Sequence, residues 1–341
     1  MAYTTIKKPS DYFNTKLYTG TGSSNAITGV GFQSDWTWIK DRDTASNHMV
    51  TDAVRGATKT LYTQNADGES TVAQALKSFN TDGFTVGTDG DVNANTKNFA
   101  SWNWLANGSS STNTDGNVNT TVSANATSGF SIVKYTGNGS QTATFGHGLN
   151  AVPKMILLKK LNASADWVVY HEAITSANRL ILNSTAAQES SANWRATPTN
   201  TVFNSNASNI INNSGDSYIA YVFANVTGYS KFGSYVGNGS ADGTFTYTGF
   251  KPAWIMIKRT DGAANWELYD SKRLGYNSSN PPLYPDLTNA EGDNGRVDIL
   301  SNGFKIVTTS GNLGASGGTY IYMAFAENPF VTSTAIPACA R

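Results

Sequence analysis

Apolar residues in this chain come in short bursts that are separated by polar turns. Asp166-Trp167-Val168-Val169-Tyr170 and Lys305-Ile306-Val307 are typical bursts. Bursts rich in β-branched and aromatic residues, bounded by Gly, Asn, Asp and Ser, indicate strands. Spacers such as Asn212-Asn213-Ser214-Gly215-Asp216 supply residues that tolerate positive φ or form Asx turns. Many short strands with frequent turn signals predict an all-β protein of the β-sandwich or jelly-roll type.

Helical periodicity is nearly absent. The best exception is Ser70 to Phe79, where Val72, Ala75, Leu76 and Phe79 share one helical face, which predicts one or two helical turns. The segment from Tyr320 to Phe325 is apolar or aromatic at nearly every position. Such a strand has no polar face to turn toward water, so we expect it to be central and buried on both faces.

A short motif of the form Tyr-x-Gly-x-Gly-Ser occurs three times, at 18–23, 135–140 and 235–240. An apolar run closed by a lysine follows each copy, and an aromatic and apolar block ends each copy at 99–104, 218–223 and 320–325. The lysines are Lys40, Lys159 and Lys258; eight residues beyond them lie His48, Trp167 and Trp266, and twelve residues beyond lie Asp52, His171 and Asp270. Three motifs in one order, three times, indicate internal triplication.

The spacing of about 100 residues is too long for a solenoid repeat, which has roughly 20–50 residues, and suits a complete domain. We therefore predict three tandem β-sandwich domains of jelly-roll or lectin-like type, each with its own core, at 17–108, 130–229 and 230–330. Residues 109–129 are rich in Ser, Thr, Asn and Gly and predict a flexible linker. We predict that residues 1–16 form an extended arm that docks to another protein and that residues 331–341 form a C-terminal tail.

The composition excludes several classes of partner. The formal net charge is +0, with 24 Lys and Arg against 24 Asp and Glu, which argues against a nucleic-acid binder. The sequence has no run of about 18 apolar residues, so it predicts no membrane-spanning helix. The single cysteine, Cys339, allows no disulfide within the chain, and the first residues lack the apolar region of a signal peptide. Asn, Ser, Thr and Gly must cover the surface, as on extracellular and particle-surface β-proteins.

A search for chemistry finds no catalytic, cofactor or metal site. No strand-like burst carries a carboxylate pair of the kind a glycosidase needs, and Asp41 and Asp43 lie in a turn. His48, His147 and His171 lack metal-ligand spacing. The segment from Asp89 to Asn93 resembles a calcium loop only faintly and predicts a turn, as the glycine pairs do. Tryptophans in strands are expected to be buried, and Trp194 is the best candidate for exposure.

Several of these segments resemble lectin-like repeat domains of tail-fibre and appendage proteins of marine bacteriophages. The resemblance extends from about Asp11 to Phe330 and rests on 135–140, 153–159, 167–171, 252–258, 266–270 and Gly303-Phe304. It implies a sandwich fold and a place on a virion, made in the host cytoplasm, with no catalytic residues or cofactor. The first copy departs from the pattern, with His48 and Thr51 in place of the Trp-x-x-Tyr pair.

Three functions remain open at this stage. The first is a non-enzymatic tail-fibre or tail-tip appendage that binds host surface polysaccharide. The second is a head decoration or head-fibre protein with a purely structural role. The third is a glycan-degrading virion enzyme. The expected partners are other virion proteins, bound through the N-terminal arm. A homotrimer is a further expectation, although no trimerisation motif is visible and three internal copies could mimic a trimer. The ligand-binding residues are unknown at this stage.

Overall fold

The structure is a computed structural model that describes residues 4–273, 277, 280–292 and 295–329. Within them the chain is all-β, and every strand pair of its sheets is antiparallel. The helical elements are one α-helical turn, α1 (Gly90–Asn93), and two 3-10 turns, Pro9–Asp11 and Glu172–Ile174. The strands are, in chain order, β1 (Phe13–Thr19), β2 (Asn25–Ile27), β3 (Trp36–Asp41), β4 (Met49–Asp52), β5 (Lys59–Tyr62), β6 (Ser70–Thr71), β7 (Leu76–Asn80), β8 (Gly83–Val86), β9 (Asn98–Trp104), β10 (Ser111–Asn113), β11 (Thr120–Asn125), β12 (Phe130–Thr136), β13 (Ala143–Gly146), β14 (Met155–Lys160), β15 (Val168–His171), β16 (Asn178–Ile181), β17 (Glu189–Ser190), β18 (Val202–Ser205), β19 (Ser217–Phe223), β20 (Ser230–Val236), β21 (Phe245–Tyr247), β22 (Phe250–Arg259), β23 (Glu267–Asp270), β24 (Val297–Leu300), β25 (Gly303–Ile306) and β26 (Thr319–Pro329).

These strands form three large and three small sheets within the described residues. Large sheet 1 has the order β1-β9-β3-β4-β5-β6, large sheet 2 the order β10-β11-β12-β19-β14-β15-β16-β17, and large sheet 3 the order β20-β26-β22-β23. Small sheets 1, 2 and 3 have the orders β2-β8-β7, β13-β18 and β21-β25-β24. We call residues 13–104, 111–223 and 230–329 regions 1, 2 and 3, because each contains one large and one small sheet of the same number.

The strand that closes each region lies inside its large sheet. β9 pairs with β1 and β3, β19 with β12 and β14, and β26 with β20 and β22. Neighbours on both edges and packing on both faces explain why β19 and the centre of β26 are almost continuously apolar or aromatic. The expectation that the segment from Tyr320 to Phe325 is central and buried on both faces is confirmed.

Alternate residues of the closing strands face two different cores. In β19, Tyr218, Ala220 and Val222 pack with small sheet 2, whereas Ile219, Tyr221 and Phe223 face the other two regions. The alternation follows from the two-residue period of a strand. Each region therefore has a core of its own between its two sheets and also contributes to one core that the three regions share.

Aromatic contacts join the regions pairwise in the shared core. The ring centroids of Trp36 and Tyr221 lie 4.5 Å apart across regions 1 and 2. Those of Trp104 and Trp254 lie 5.6 Å apart across regions 1 and 3, and those of Phe223 and Phe325 6.1 Å apart across regions 2 and 3. Large aromatic side chains bury much apolar surface, so this core ties the three regions together.

The expectation of a flexible linker at 109–129 is corrected by the structure. β10 pairs with β11, and β11 pairs along its whole length with β12, so the segment extends large sheet 2. Thr120, Val122 and Ser123 are buried there. A strand whose outer face meets water needs only Thr, Ser and Asn on that face, and composition does not distinguish it from a linker.

The predicted helix between Ser70 and Phe79 is also wrong, because the segment contains β6 and β7. Pairing of β6 with β5 and of β7 with β8 overrides a weak helical pattern. The N-terminal segment is not an extended arm: Thr4 and Ile6 are buried, and β1 pairs fully with β9. The predicted tail at 331–341, with Cys339, lies outside the described residues.

Candidate functional site

The repeated glycine motif is a strand-to-turn connection in all three regions, as predicted. A Cβ atom on Gly20, Gly137 or Gly237 would collide with a backbone oxygen, and Gly22, Gly139 and Gly239 have φ of 65°, 69° and 70°. The first glycine permits close approach of two chain segments and the second a left-handed turn. The tyrosine that opens each motif donates its hydroxyl to a backbone carbonyl, of Val92, Ile211 or Leu313. The motif is thereby accounted for as structure.

The three repeated lysines are buried, and two of them bond another region. Lys40, Lys159 and Lys258 are fully buried, and burial lowers the pKa of each to about 8. Lys159 donates to the carbonyl of Ala66 in region 1 at 3.2 Å, and Lys258 to that of Thr185 in region 2 at 2.8 Å. Lys40 instead bonds carbonyls within region 1. These ammonium groups are satisfied by carbonyl oxygens and hold backbone segments together.

Backbone hydrogen bonds close the three regions into a ring. The amide six residues beyond each lysine donates to a carbonyl of another region. Ala165 bonds Ala66 at 2.9 Å, joining regions 2 and 1, and Ala264 bonds Thr185 at 2.8 Å, joining regions 3 and 2. The third bond is from Ser46 to Thr288 at 2.9 Å and joins regions 1 and 3. Each region therefore contacts both others, and each donates from the loop that follows its lysine-bearing strand.

The position twelve residues beyond each lysine also faces a neighbouring region. Asp52 is paired with Arg55 and accepts the hydroxyl of Tyr221 from region 2 at 2.8 Å. Asp270 is paired with Arg273 at 2.7 Å and accepts the indole N–H of Trp102 from region 1 at 3.0 Å. His171 lies 3.4 Å from the carbonyl of Tyr322 in region 3 and accepts the amide of Ala173. All three side chains are buried, so these residues join regions and present no open site.

The remaining sequence candidates are buried or structural. All the tryptophans are buried, as expected for those in strands, and Trp194, the best candidate for exposure, is 3% exposed because its ring packs on Tyr170. The imidazoles of His48, His147 and His171 are buried, and burial lowers the pKa of His147 and His171 to about 4. Asp89 caps α1, where a turn was expected, by accepting the amide of Asp91. Across the described residues, no group of three or more His, Cys, Asp or Glu is placed to hold a metal ion.

Asp41 is the last residue of β3, and Asp43 lies in the turn that follows, where the sequence predicts both. Asp41 accepts the backbone amides of Asp43 and Thr44, and Asp43 accepts the amide of Asn98. Both carboxylates thus stabilise the local backbone. No helix of the described chain is long and apolar enough to cross a membrane.

Exposed apolar side chains are concentrated in region 3. Val236, Phe245 and Tyr247 are 55%, 46% and 50% exposed, and within the described ranges only Val152 joins them as a large apolar residue of high exposure. Phe245 and Tyr247 alternate with buried Thr246 on edge strand β21, so both rings stand on the outer face of small sheet 3. An exposed cluster of this kind marks an interaction site more often than a scattered single residue does.

A cleft of about 190 Å³ adjoins this face. Its wall is formed by the turn before β20 and by the end of β21, and it is lined by Asn225, Thr227, Gly228, Ser230, Lys231, Tyr247 and Thr248. The ammonium of Lys231 donates to the carbonyl of Tyr247 at 2.8 Å and lies 5.3 Å from the centre of its ring. We call Phe245, Tyr247 and this cleft the aromatic face.

A comparison with known families gives one match, which covers residues 8–329. The chain belongs to the family DUF7483, described as a domain of unknown function. A single match spans all three regions, in agreement with their shared core. No curated protein matches the chain, and no solved structure does.

Sequence reasoning missed the aromatic face, although a signal was present. Strand pairing places Thr246 opposite Phe304, as it places Phe145 opposite Phe203 and Ile27 opposite Phe84. The flanking residues, on the other face of the strand, are Phe245 and Tyr247 in region 3, Thr144 and Gly146 in region 2, and Ala26 and Thr28 in region 1. Two aromatic residues at positions that are small or polar in the other regions would have singled out β21.

Proposed function

We propose that this chain is a non-enzymatic structural protein of a bacteriophage virion, a tail-fibre or tail-tip appendage that binds host surface glycans through its aromatic face. The observation that carries the proposal is the pair of exposed rings of Phe245 and Tyr247 beside a polar cleft. The resemblance of the sequence motifs to phage appendage domains supports the place on a virion.

The chemistry of the aromatic face suits a sugar better than an apolar ligand. A pyranose ring has a face of C–H groups that packs on an aromatic ring, and a rim of hydroxyls that needs hydrogen-bonding partners. Phe245 and Tyr247 supply the rings, and Asn225, Thr227 and Lys231 supply amide, hydroxyl and ammonium groups at the side. Binding sites commonly combine aromatic surface with a few placed polar groups in this way.

We infer further that regions 1, 2 and 3 are copies of one jelly-roll or lectin-like sandwich unit. The support is the common strand order within the large sheets, the equal geometry of the three glycine motifs, and the ring of equivalent hydrogen bonds. In this interpretation the aromatic face is an addition to region 3 alone, and regions 1 and 2 complete the core that holds it.

The experiment that tests the function is adsorption of purified protein to host cells and to isolated host polysaccharide, with electron microscopy of virions labelled with a gold-tagged antibody. We expect gold at the tail tip or fibres, and competition with phage adsorption. The double variant Phe245→Thr, Tyr247→Gly takes the residues of region 2 and should lose binding while it stays folded. Val152→Ser removes an exposed apolar residue elsewhere and should bind normally.

Gold over the head, together with unaltered adsorption by the double variant, would contradict the receptor-binding role and favour head decoration. Release of reducing ends from host polysaccharide would contradict the non-enzymatic role. No gold on any particle would contradict the place on a virion.

A further inference from the structure

The cleft beside Tyr247 has one charged group and no carboxylate among its lining residues. Lys231 is that group, and the other lining side chains are neutral. Nearby lysines are neutralised: Lys305, opposite Phe245 on β25, is paired with Asp242, and Lys251 with Glu327. No carboxylate of the described residues forms an ion pair with Lys231. The cleft therefore presents an uncompensated positive charge next to an exposed ring.

Lys231 retains hydrogen-bonding capacity. An ammonium has three donors, and the carbonyl of Tyr247 takes one of them. No other hydrogen bond of this ammonium is present in the described part of the chain. Asn225 uses its side-chain oxygen to accept the amide of Phe232 at 2.9 Å, which leaves its NH₂ group without a partner among the described residues. Two groups that line the cleft thus have free donors, and donors bind anions.

The cleft wall is held rigidly. Gly228 has φ of 75°, and a Cβ atom there would meet the side chain of Thr4 at 2.9 Å, so the N-terminal segment packs directly behind the turn. Ser230 bonds the amide of Val226 and the carbonyl of Ala224 across the same turn. Preorganised donors lose little entropy on binding, which favours a specific ligand over a nonspecific contact.

We propose that this cleft binds the anionic group of an acidic sugar, a carboxylate or a sulfate ester, through Lys231 and Asn225, while the sugar ring or its neighbour packs on Tyr247 and Phe245. The inference rests on the proposed glycan-binding function and specifies its ligand class. A volume of about 190 Å³ is below the roughly 300 Å³ of pockets that take drug-sized ligands, so the cleft suits a single sugar residue of a longer chain.

The protonation of Lys231 couples to this binding. Burial lowers the pKa of Lys231, and a bound anion raises it again because an opposite charge favours the ammonium. Affinity for an acidic glycan should therefore fall as the pH rises toward and above the pKa of Lys231 in the free protein. It should also fall with added salt, since the attraction is between partly exposed charges.

The experiment measures affinity of the full chain for matched polysaccharides. Polygalacturonate and its methyl ester differ only in the carboxylate charge, and dextran sulfate and dextran differ only in the sulfate ester. We expect at least tenfold tighter binding of one charged member over its neutral partner, which also identifies the anion. Lys231→Met, which keeps the stem on the ring, should remove that difference, and Lys231→Arg should retain it. Lys305→Met is the control, because that charge lies outside the cleft.

Three outcomes separate the inference from the function on which it rests. If the protein binds charged and neutral polysaccharides with equal affinity, and the double variant Phe245→Thr, Tyr247→Gly binds neither, the acidic-sugar inference is overturned and glycan binding stands. A charge preference that Lys231→Met leaves intact would overturn the assignment to this cleft. Binding of no probe and no host polysaccharide by folded protein would overturn both proposals.

Discussion

The contact between Tyr221 and Asp52 offers a quantitative test of the junction between regions 1 and 2. The Tyr221 hydroxyl donates to Asp52 at 2.8 Å and lies 3.3 Å from the guanidinium of Arg55, and all three side chains are fully buried or nearly so. Burial raises the pKa of Tyr221 well above its usual value, so the hydroxyl stays protonated and donates. Tyr221→Phe removes only this oxygen.

The control is Tyr229→Phe in the same shared core. Tyr229 is also fully buried, but its hydroxyl has no hydrogen-bond partner in the described structure. A hydrogen bond to a buried charged group stabilises by about 1.5–3 kcal/mol, whereas an unpartnered buried hydroxyl costs about 1–3 kcal/mol. We therefore expect Tyr221→Phe to lower the free energy of unfolding by about 2 kcal/mol and Tyr229→Phe to leave it unchanged or raise it.

The assay is equilibrium unfolding in guanidinium chloride, followed by tryptophan fluorescence and by circular dichroism. A variant whose unfolding curve has a shifted midpoint but the same slope as the unsubstituted protein has changed in stability alone. The reasoning would be refuted if the two variants lost equal stability, or if Tyr221→Phe lost none. Either result would mean that the hydroxyl of Tyr221 does not contribute to the junction as the structure indicates.

Two further predictions concern pH. The pKa of the buried lysines is about 8 in the folded protein and about 10.5 in the unfolded chain, so the unfolded chain binds more protons between these pH values. The free energy of unfolding should therefore rise from pH 8 to about 10. Lys159→Met should reduce that slope by up to about 1.4 kcal/mol per pH unit, as measured by urea titrations. Burial raises the pKa of Asp286 to about 7, so its folded form holds a proton that the unfolded chain has lost, and stability should fall from pH 4 to 7. Asp286→Asn should stabilise the protein above pH 7 and not at pH 4. An asparagine fits the site, because Asn183 of region 2 accepts the amide of Trp167 as Asp286 accepts that of Trp266. Equal effects of the substitution at both pH values would contradict the prediction.

Local patterns in the sequence were sufficient for the lysine-bearing strands and the glycine turns. Apolar bursts closed by Lys40, Lys159 and Lys258 are β3, β14 and β22, and the glycine pairs are turns with positive φ. Both features depend on neighbouring residues: strand side chains alternate with a period of two, and only glycine accepts a left-handed turn without strain. Such information is present in a short window of sequence.

The shared core could not be predicted in the same way. Asp52 and Tyr221 are 169 residues apart, and Trp102 and Asp270 are 168 apart. Each buried residue is compatible with a core of its own region, and no local pattern tells which neighbour it meets. The prediction of a linker at 109–129 was wrong for a related reason, since the strands of this segment depend on β12 as a pairing partner. The exposure of Phe245 and Tyr247 likewise depends on the outer face of small sheet 3 being uncovered, which no short window of sequence shows.

The side chains differ among the three junctions, and the differences are chemically consistent. Tyr221 and Trp102 are donors and face the carboxylates of Asp52 and Asp270. The equivalent residue of region 3 is Met323, which has no strong donor, and His171 contacts region 3 at the backbone carbonyl of the neighbouring Tyr322. Burial lowers the pKa of His171 to about 4, so it is neutral where a carboxylate would be buried without a donor.

Three identical subunits must repeat one solution at every junction, whereas linked regions can match each pair separately. The same freedom extends to the surface: Phe245 and Tyr247 occur in region 3 only, where they are exposed, while regions 1 and 2 keep small or polar residues at those positions. If the three regions are copies, as we infer, linkage in one chain allows a single aromatic face on a ring of three. Under the proposed function, one such face would make each chain a monovalent glycan binder, and multivalent adhesion would come from assembling several chains.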